Sequence, residues 1–291
     1  MKTIGIDINL QKITDDSLVK TIAEWLKSKG RTVLIREDAA VAVGLPELGV
    51  TEQYLGEHSE CIIVLGGDGT MLRITRLLAA AAKPIVGLNL GHFGFLTEID
   101  TPDLIPALER LLAGDFYIEE RMMLEARVER DGEIVEQTFG LNEAALTNGV
   151  FARLFYLETY VNDEFVNIYP ANGLVIASPT GSTGYSLAAG GPLVTPDLDL
   201  MLITPICPHT LWARPLVVSP ESSVRVKILT AKQEDVMMTM DGQYCFPLLV
   251  SDQVLIRRAA TRARFLRFKE RGFFDLLRIK LREERTRVFD K

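Results

Sequence analysis

The run CIIVLGGDGTMLRITRL, Cys61–Leu77, constrains the possible fold more than any other stretch of the chain. A short apolar segment passes directly into Gly66, Gly67, Asp68, Gly69 and Thr70, and amphipathic periodicity begins at once. Short apolar runs between helices indicate a mainly parallel sheet covered by helices. The flanking sequence repeats the alternation. TIGIDIN (Thr3–Asn9), RTVLIR and PIVGLNLG read as further strands. TDDSLVKTIAEWLKSKG places Leu18, Val19, Ile22, Trp25 and Leu26 on one helical face, with acidic residues in its first turn and Gly30 as a stop. TMLRITRLLAAAAK reads as a second helix. TPDLIPALERLLAGD reads as a third, with Thr101 as N-cap, Pro102 at the first helical position and Gly114 past the end.

The texture changes near Arg121. LEARVERDGEIVEQTF alternates apolar and polar residues around an Asp131-Gly132 turn, and YLETYVNDEFVNIY does the same around Asn162-Asp163. SSVRVKILTA, DVMMTMDGQY and DQVLIRRA continue the pattern. Helical periodicity returns in the final segment through Phe274, Leu277 and Leu281. The expected architecture is α/β plus β: an N-terminal Rossmann-like α/β domain (1–120), a β-strand-rich domain (121–260), and a C-terminal segment (261–291) packing back on the first domain.

Composition narrows the functional classes. The chain has 291 residues, 47% hydrophobic and 24% charged, enough for a packed core. A net charge of −7 argues against a general nucleic-acid or membrane-surface binder, yet leaves room for a local anion site. No apolar run approaches the roughly 20 residues of a membrane span. Cys61, Cys207 and Cys245 are widely spaced, fit no zinc pattern and read as buried bystanders, so no metal site is expected. The N-terminus has no signal-peptide layout, and a cytoplasmic location is expected.

The glycine-rich turn carries chemistry. Ligands of open α/β sheets bind at the carboxyl ends of the strands, where Asp68 falls. Gly66 and Gly67 let the backbone approach a phosphate, and Thr70 is placed to cap the following helix, whose N-terminus attracts anions. An acid there suits a group that takes a proton from a hydroxyl, or one that meets a cation riding on the phosphates. Both roles belong to phosphoryl transfer. Arg73, three residues past Thr70, shares that face of the helix. The turn is neither a Walker loop nor a GxGxxG fingerprint.

Three further constellations stand out. LGHFGFLTE is a second glycine loop, expected near the first, with His92 as a possible phosphate contact. In GLNEAALTNG, the Asn142 amide can donate and accept at once, as an adenine edge requires, and Glu143 can accept from ribose hydroxyls. A polar turn is the plainer alternative. NGLVIASPTGSTGYSLAAGGP runs from a buried strand into small hydroxyl residues and glycines, with Tyr185 adding a flat surface, and is too long for a simple β-turn. Asp241-Gly242-Gln243 fits a plain hairpin turn as well as a contact at the site, and the residues alone do not choose between them.

In order along the chain, GGDGT, NLGHFGFLTE, LNEAAL, SPTGSTGYSLAAGGP, PHTLWARPLVV and DGQ resemble the NAD kinase family, whose members depend on ATP or polyphosphate. The resemblance spans about Val64 to Gln243. It implies phosphoryl transfer to the 2′-hydroxyl of the adenosine ribose of NAD, giving NADP, and a divalent cation, Mg2+, carried with ATP. It also implies a homodimer or homotetramer. By position, it makes Asp68 the proton acceptor and Gly69 part of the dinucleotide site. It assigns Asn142, Glu143, Arg153, Asn172 and Gln243 to NAD, together with the loop Thr183, Gly184, Tyr185, Ser186, Leu187 and Ala188. Gly66, Gly67, Thr70 and Arg73 are left for the phosphate donor. Two departures are visible: Asn172-Gly173 stands where most relatives have Asp-Gly, and Gly184 replaces the commoner alanine. A lipid kinase of the diacylglycerol type and a non-catalytic NAD(P)-binding regulator are the alternatives.

Overall fold

The computed structural model describes residues 1–10, 17–91, 94–148, 154–230, 236–268 and 272–287, with side chains beyond 280 excluded. The chain forms two compact units. One comprises Met1–Glu120 with the segment from Arg264, and the other Arg121–Ala263.

The first unit alternates strand and helix. Its elements are β1 (Thr3–Ile8), α1 (Ser17–Ser28), β2 (Thr32–Arg36), α2 (Glu37–Ala42), β3 (Gly49–Val50), α3 (Glu52–His58), β4 (Cys61–Gly66), α4 (Asp68–Leu77), β5 (Ile85–Asn89), β6 (Ile99–Asp100) and α5 (Leu104–Ala113). The parallel sheet runs β3-β2-β1-β4-β5, with β6 beside β5. Every residue of β4 is buried, as its unbroken apolar run requires. Ile4, Ile6 and Ile8 of β1 pack with Val19, Ile22 and Leu26 of α1, each such side chain contributing about 1.5–3 kcal/mol on burial.

Several helix boundaries differ from the sequence expectation. The acids expected in the first turn of α1, Asp15 and Asp16, lie outside the described residues, and the described helix runs from Ser17. Helix α4 stops at Leu77 although four alanines follow, because Ala82 turns to φ 46 and Lys83 precedes Pro84, a position that disfavours helix. Thr101 is not the cap of α5. Thr101–Asp103 form a 3-10 turn, Asp103 occupies the cap, and the Thr101 hydroxyl donates to the Asn89 carbonyl at 3.2 Å. Gly114 does end α5, in the left-handed conformation.

The second unit begins within β7 (Tyr117–Arg130). Then come β8 (Glu133–Gly140), β9 (Glu143–Asn148), β10 (Phe155–Val161), β11 (Glu164–Ala171), β12 (Gly173–Ala177), the one-turn α6 (Tyr185–Ala188), β13 (Met201–Ile206), β14 (Leu216–Val218), β15 (Ser223–Thr230), β16 (Val236–Met240), β17 (Tyr244–Leu248) and β18 (Gln253–Arg267). One antiparallel sheet runs β14-β13-β12-β9-β16-β17, and β11-β10-β15-β18 form another with β7 and β8. Alternating residues such as Leu146, Leu174, Ile176, Met238 and Val254 face the core between these strands. The C-terminal helix α7 (Phe273–Arg287) belongs to the first unit, where Phe273 lies 6.3 Å from Phe95, ring centre to ring centre.

Cys61 is buried, and burial pushes its thiol up to about 12. Cys207 and Cys245 are exposed, against the expectation of burial, and none of the three forms a disulfide. Cys245 lies on β17 with its side chain on the solvent face.

Candidate active site

In the first unit the carboxyl ends of β1, β4 and β5 converge on the glycine turn. Gly66 is the last residue of β4, Gly67 is the N-cap of α4, and Asp68 is its first residue, where the helix dipole favours a negative charge. Thr70 is therefore not the cap. It sits buried inside the first turn, and its hydroxyl accepts from the Asn9 amide at 3.3 Å. Gly69 is exposed, and Asp68 is half-buried.

Asp68 is held by the second glycine loop. Its Oδ2 accepts the Phe95 N–H at 2.8 Å, and its Oδ1 accepts the Leu96 N–H at 2.9 Å. This approach requires glycine at 94, since a Cβ there would lie 1.9 Å from Asp68 Oδ1. Each oxygen keeps a further lone pair for a proton or a ligand. His92 lies outside the described residues.

Arg73 is committed within the unit. It pairs with the fully buried Asp7 at the end of β1, and its Nη1 stands 3.7 Å from Glu52. Asp7 also receives Arg36 Nε at 2.5 Å, and this pairing contributes to raising the Arg36 guanidinium above its ordinary value despite the opposing effect of burial. Arg73 thus stands at the strand ends, but oriented by Asp7.

In the second unit Asn142, Glu143, the Thr183–Ala188 segment and Gln243 gather around the start of β9, whereas Asn172 lies beside Asn148 at the far end of that strand. Asn142 Oδ1 and Glu143 Oε2 are buried and have no hydrogen-bond partner among the described residues. Buried acceptors of this kind cost about 1–3 kcal/mol each when left unmet. Burial first, then the charge of Asp241, pushes the Glu143 carboxyl up to about 7, while the Tyr185 N–H donates to it and opposes the shift. Burial also raises the Tyr185 phenol, with Cys207 and Glu143 adding to the effect.

The hydroxyl-rich segment is more ordered than a loop. Thr180–Thr183 make a 3-10 turn, and Tyr185–Ala188 make α6. Ser178 Oγ donates to the Leu141 carbonyl at 2.5 Å, and the Ser178 N–H donates to the Asn142 carbonyl at 2.8 Å. Gly181 lies so close that a Cβ would stand 2.1 Å from that same carbonyl oxygen. Thr183 Oγ1 donates to the Thr180 carbonyl, and Ser186 shares a buried hydrogen bond with Thr204 at 3.0 Å. Several of these hydroxyls therefore satisfy the protein itself. Leu187 is half-buried, whereas Tyr185 and Ala188 are exposed. At Gly184 a Cβ would come 2.9 Å from Glu143 Oε2, so the departure from alanine opens space beside that carboxyl.

Asn172 joins β11 to β12. Its N–H donates to Ile206 at 3.0 Å, its carbonyl accepts from Asn148 at 3.3 Å, and its side chain is half-exposed. Gln243 closes the β16–β17 turn through its N–H on the Met240 carbonyl. Arg153 lies outside the described residues. The sequence reading missed Asp241. Its carboxylate accepts the N–H groups of Leu141 (2.9 Å), Asn142 (2.7 Å) and Glu143 (3.2 Å). The only available signal was an aspartate in a tight turn, and the turn alone could account for it.

A strand-end acid in a glycine turn, in one unit, and buried acceptors without partners among the described residues, in the other, are each features that a nucleotide substrate could meet. Comparison with known proteins makes the class specific. Residues 4–116 match the ATP-NAD kinase N-terminal domain, and residues 141–268 match the ATP-NAD kinase C-terminal domain. An NAD kinase of Desulforamulus reducens is 50% identical over 97% of this chain and 98% of its own length. One from Moorella thermoacetica is 46% identical over 100% and 93%. Among solved structures, yeast NADH kinase complexed with NADH aligns with a TM-score of 0.88 over 97% of this chain and 87% of its own, at 24% identity, which speaks for the fold alone. An NAD kinase from Archaeoglobus fulgidus in complex with ATP aligns at 0.73 over 95% and 98%, with 25% identity. The chain belongs to the ATP-NAD kinase family.

Proposed function

We propose that the chain transfers the terminal phosphoryl group of ATP, or of polyphosphate, to the 2′-hydroxyl of the adenosine ribose of NAD, yielding NADP. The observation that carries the dinucleotide part is the pair of buried, unmet acceptors, Asn142 Oδ1 and Glu143 Oε2, beside a segment of hydroxyls and glycines. An adenine amino group and ribose hydroxyls supply the donors that these atoms lack. Family membership supports the reaction, and the comparisons support neither the lipid-kinase nor the regulator reading.

In this reading the ribose 2′-oxygen attacks the terminal phosphorus in line as the bond to the ADP oxygen breaks. The 2′-OH proton passes to Asp68, whose carboxylate the Phe95 and Leu96 amides orient. Gly66 and Gly67 let the donor phosphates approach the N-terminus of α4, which Thr70 supports from inside the first turn, and Arg73, oriented by Asp7, stands at the same strand ends. Thr183–Ala188 frame adenine, and Gly69, Arg153, Asn172 and Gln243 complete the NAD contacts. Among the described residues no group of three or more His, Cys, Asp or Glu is arranged for a resident metal. The divalent cation enters with ATP as part of the substrate, and Asp68 has the lone pairs to meet it. A homodimer or homotetramer in the cytoplasm completes the proposal, resting on the family resemblance and on cysteines left free.

The test is direct. Purified protein is incubated with Mg-ATP or polyphosphate and NAD, and NADP is read with a coupled dehydrogenase. NADP formation is expected. Binding of NAD without turnover on either donor would overturn the assignment in favour of a regulator.

A further inference from the structure

We propose that Asp241 is the positioning residue of the dinucleotide site: its carboxylate clamps the Leu141–Glu143 backbone and so presents Asn142 and Glu143 to the substrate. The inference rests on the reading that these two side chains contact NAD.

The clamp is built from a hairpin turn of another strand pair. Asp241 follows β16 in the left-handed conformation (φ 54), with Gly242 next at φ 63. This is a geometry that non-glycine residues rarely adopt, and Asp and Asn adopt it most readily. It directs a carboxylate that is only 6% exposed at three consecutive N–H groups. The pairing is reciprocal, because the Asp241 N–H donates to the Glu143 carbonyl at 2.9 Å. Leu141 and Asn142 lie between β8 and β9, so no strand partner fixes their amides; Asp241 does so. The Ser178 contacts hold the opposite, carbonyl side of the same two residues. With both sides of the backbone held, the Asn142 and Glu143 side chains are preorganised, and binding does not have to order them.

Asp241 also acts through its charge. The titratable and charged groups facing Glu143 are Asp241 from the β16–β17 turn and Tyr185 from α6, the latter beside Cys207. Glu143 accepts ribose hydroxyls best as a carboxylate, and with Asp241 present it ionises at about 7. NAD affinity should therefore rise with pH through that value, and removing the Asp241 charge should move the rise to lower pH.

The discriminating variant is Asp241→Asn, which keeps an oxygen for two amides, loses the charge and sets an amide against the Leu141 N–H. KM for NAD should rise about tenfold with kcat within about twofold, the equivalent of one lost charged hydrogen bond. The midpoint of the pH dependence of kcat/KM for NAD should fall. An effect on folding alone would leave that midpoint in place. Unchanged KM and midpoint in Asp241→Asn would overturn the proposal. If the variant does not fold, wild type and Glu143→Gln decide by NAD titration over about pH 5.5–8.5. A slope in wild type that Glu143→Gln abolishes supports the arrangement, and a flat wild-type profile rejects it. Asn142→Ala and Glu143→Gln separate the two levels. If neither raises KM for NAD, the site reading itself fails; if both do and Asp241→Asn does not, only the clamp fails.

Discussion

Asp68 and Asp241 both stand in glycine-bounded turns, and main-chain amides hold both carboxylates, yet the two units use them differently. Asp68 takes two amides, begins a helix and stays half-exposed. Asp241 takes three and is buried. Capacity left over separates a reacting acid from a scaffolding one. In the first unit the held carboxylate keeps lone pairs of its own, as the proposed proton acceptor needs. In the second it is consumed by the backbone, and the unmet acceptors have moved to its neighbours, Asn142 and Glu143.

The strongest way to break this contrast is Asp68→Asn. If Asp68 is the proton acceptor, kcat should fall about 10²–10⁴-fold while the Kd for NAD, measured calorimetrically, barely changes. Near-normal turnover would make Asp68 as structural as Asp241. Next come the two close approaches. Gly94→Ala drives a methyl into the Asp68 carboxylate, and Gly181→Ala drives one into the Asn142 carbonyl. Each should lower unfolding free energy by up to about 3 kcal/mol in urea titrations. The functional losses should differ: kcat for Gly94→Ala, and KM for NAD for Gly181→Ala. The same loss in both would erase the distinction between the units.

The smallest expected effect concerns Glu143. Its carboxyl lies above its ordinary value, so the folded chain binds that proton more tightly than the unfolded one. The resulting stability is complete below about 4.5 and is lost as pH rises through about 7. Relative to wild type, Glu143→Gln should therefore gain stability between acid and mildly alkaline pH, on the order of 2 kcal/mol by urea unfolding. A difference independent of pH would mean that Glu143 titrates normally.

The fold class was legible because period-2 and period-3.6 patterns occupy separate stretches of the chain. In the first unit β3 and β6, two residues each, were too short to show a pattern, whereas four strands, β1, β2, β4 and β5, were readable to within a residue or two at their ends. The helices α2 and α3 were not, since six and seven residues are too few to display a period. The alanine run after Leu77 misled for the opposite reason: strong helix propensity yields where the chain must turn into β5 ahead of Pro84. At the site, the residue types of Asp68, Asn142 and Glu143 suggested chemistry. The partners that orient them did not, because Leu96 lies 28 residues from Asp68 and Asp241 lies 99 from Asn142. The same distance hid Asp7, whose hold on Arg73 spans 66 residues.

The contact between Gly181 and Asn142 has a consequence for inheritance. With no room for a single carbon between them, the hydroxyl-rich segment and the start of β9 cannot drift independently. A chimera that took one of the two from a distant relative would join surfaces shaped for different neighbours. Descent and recombination should therefore treat them as one cassette, although 39 positions of sequence separate them.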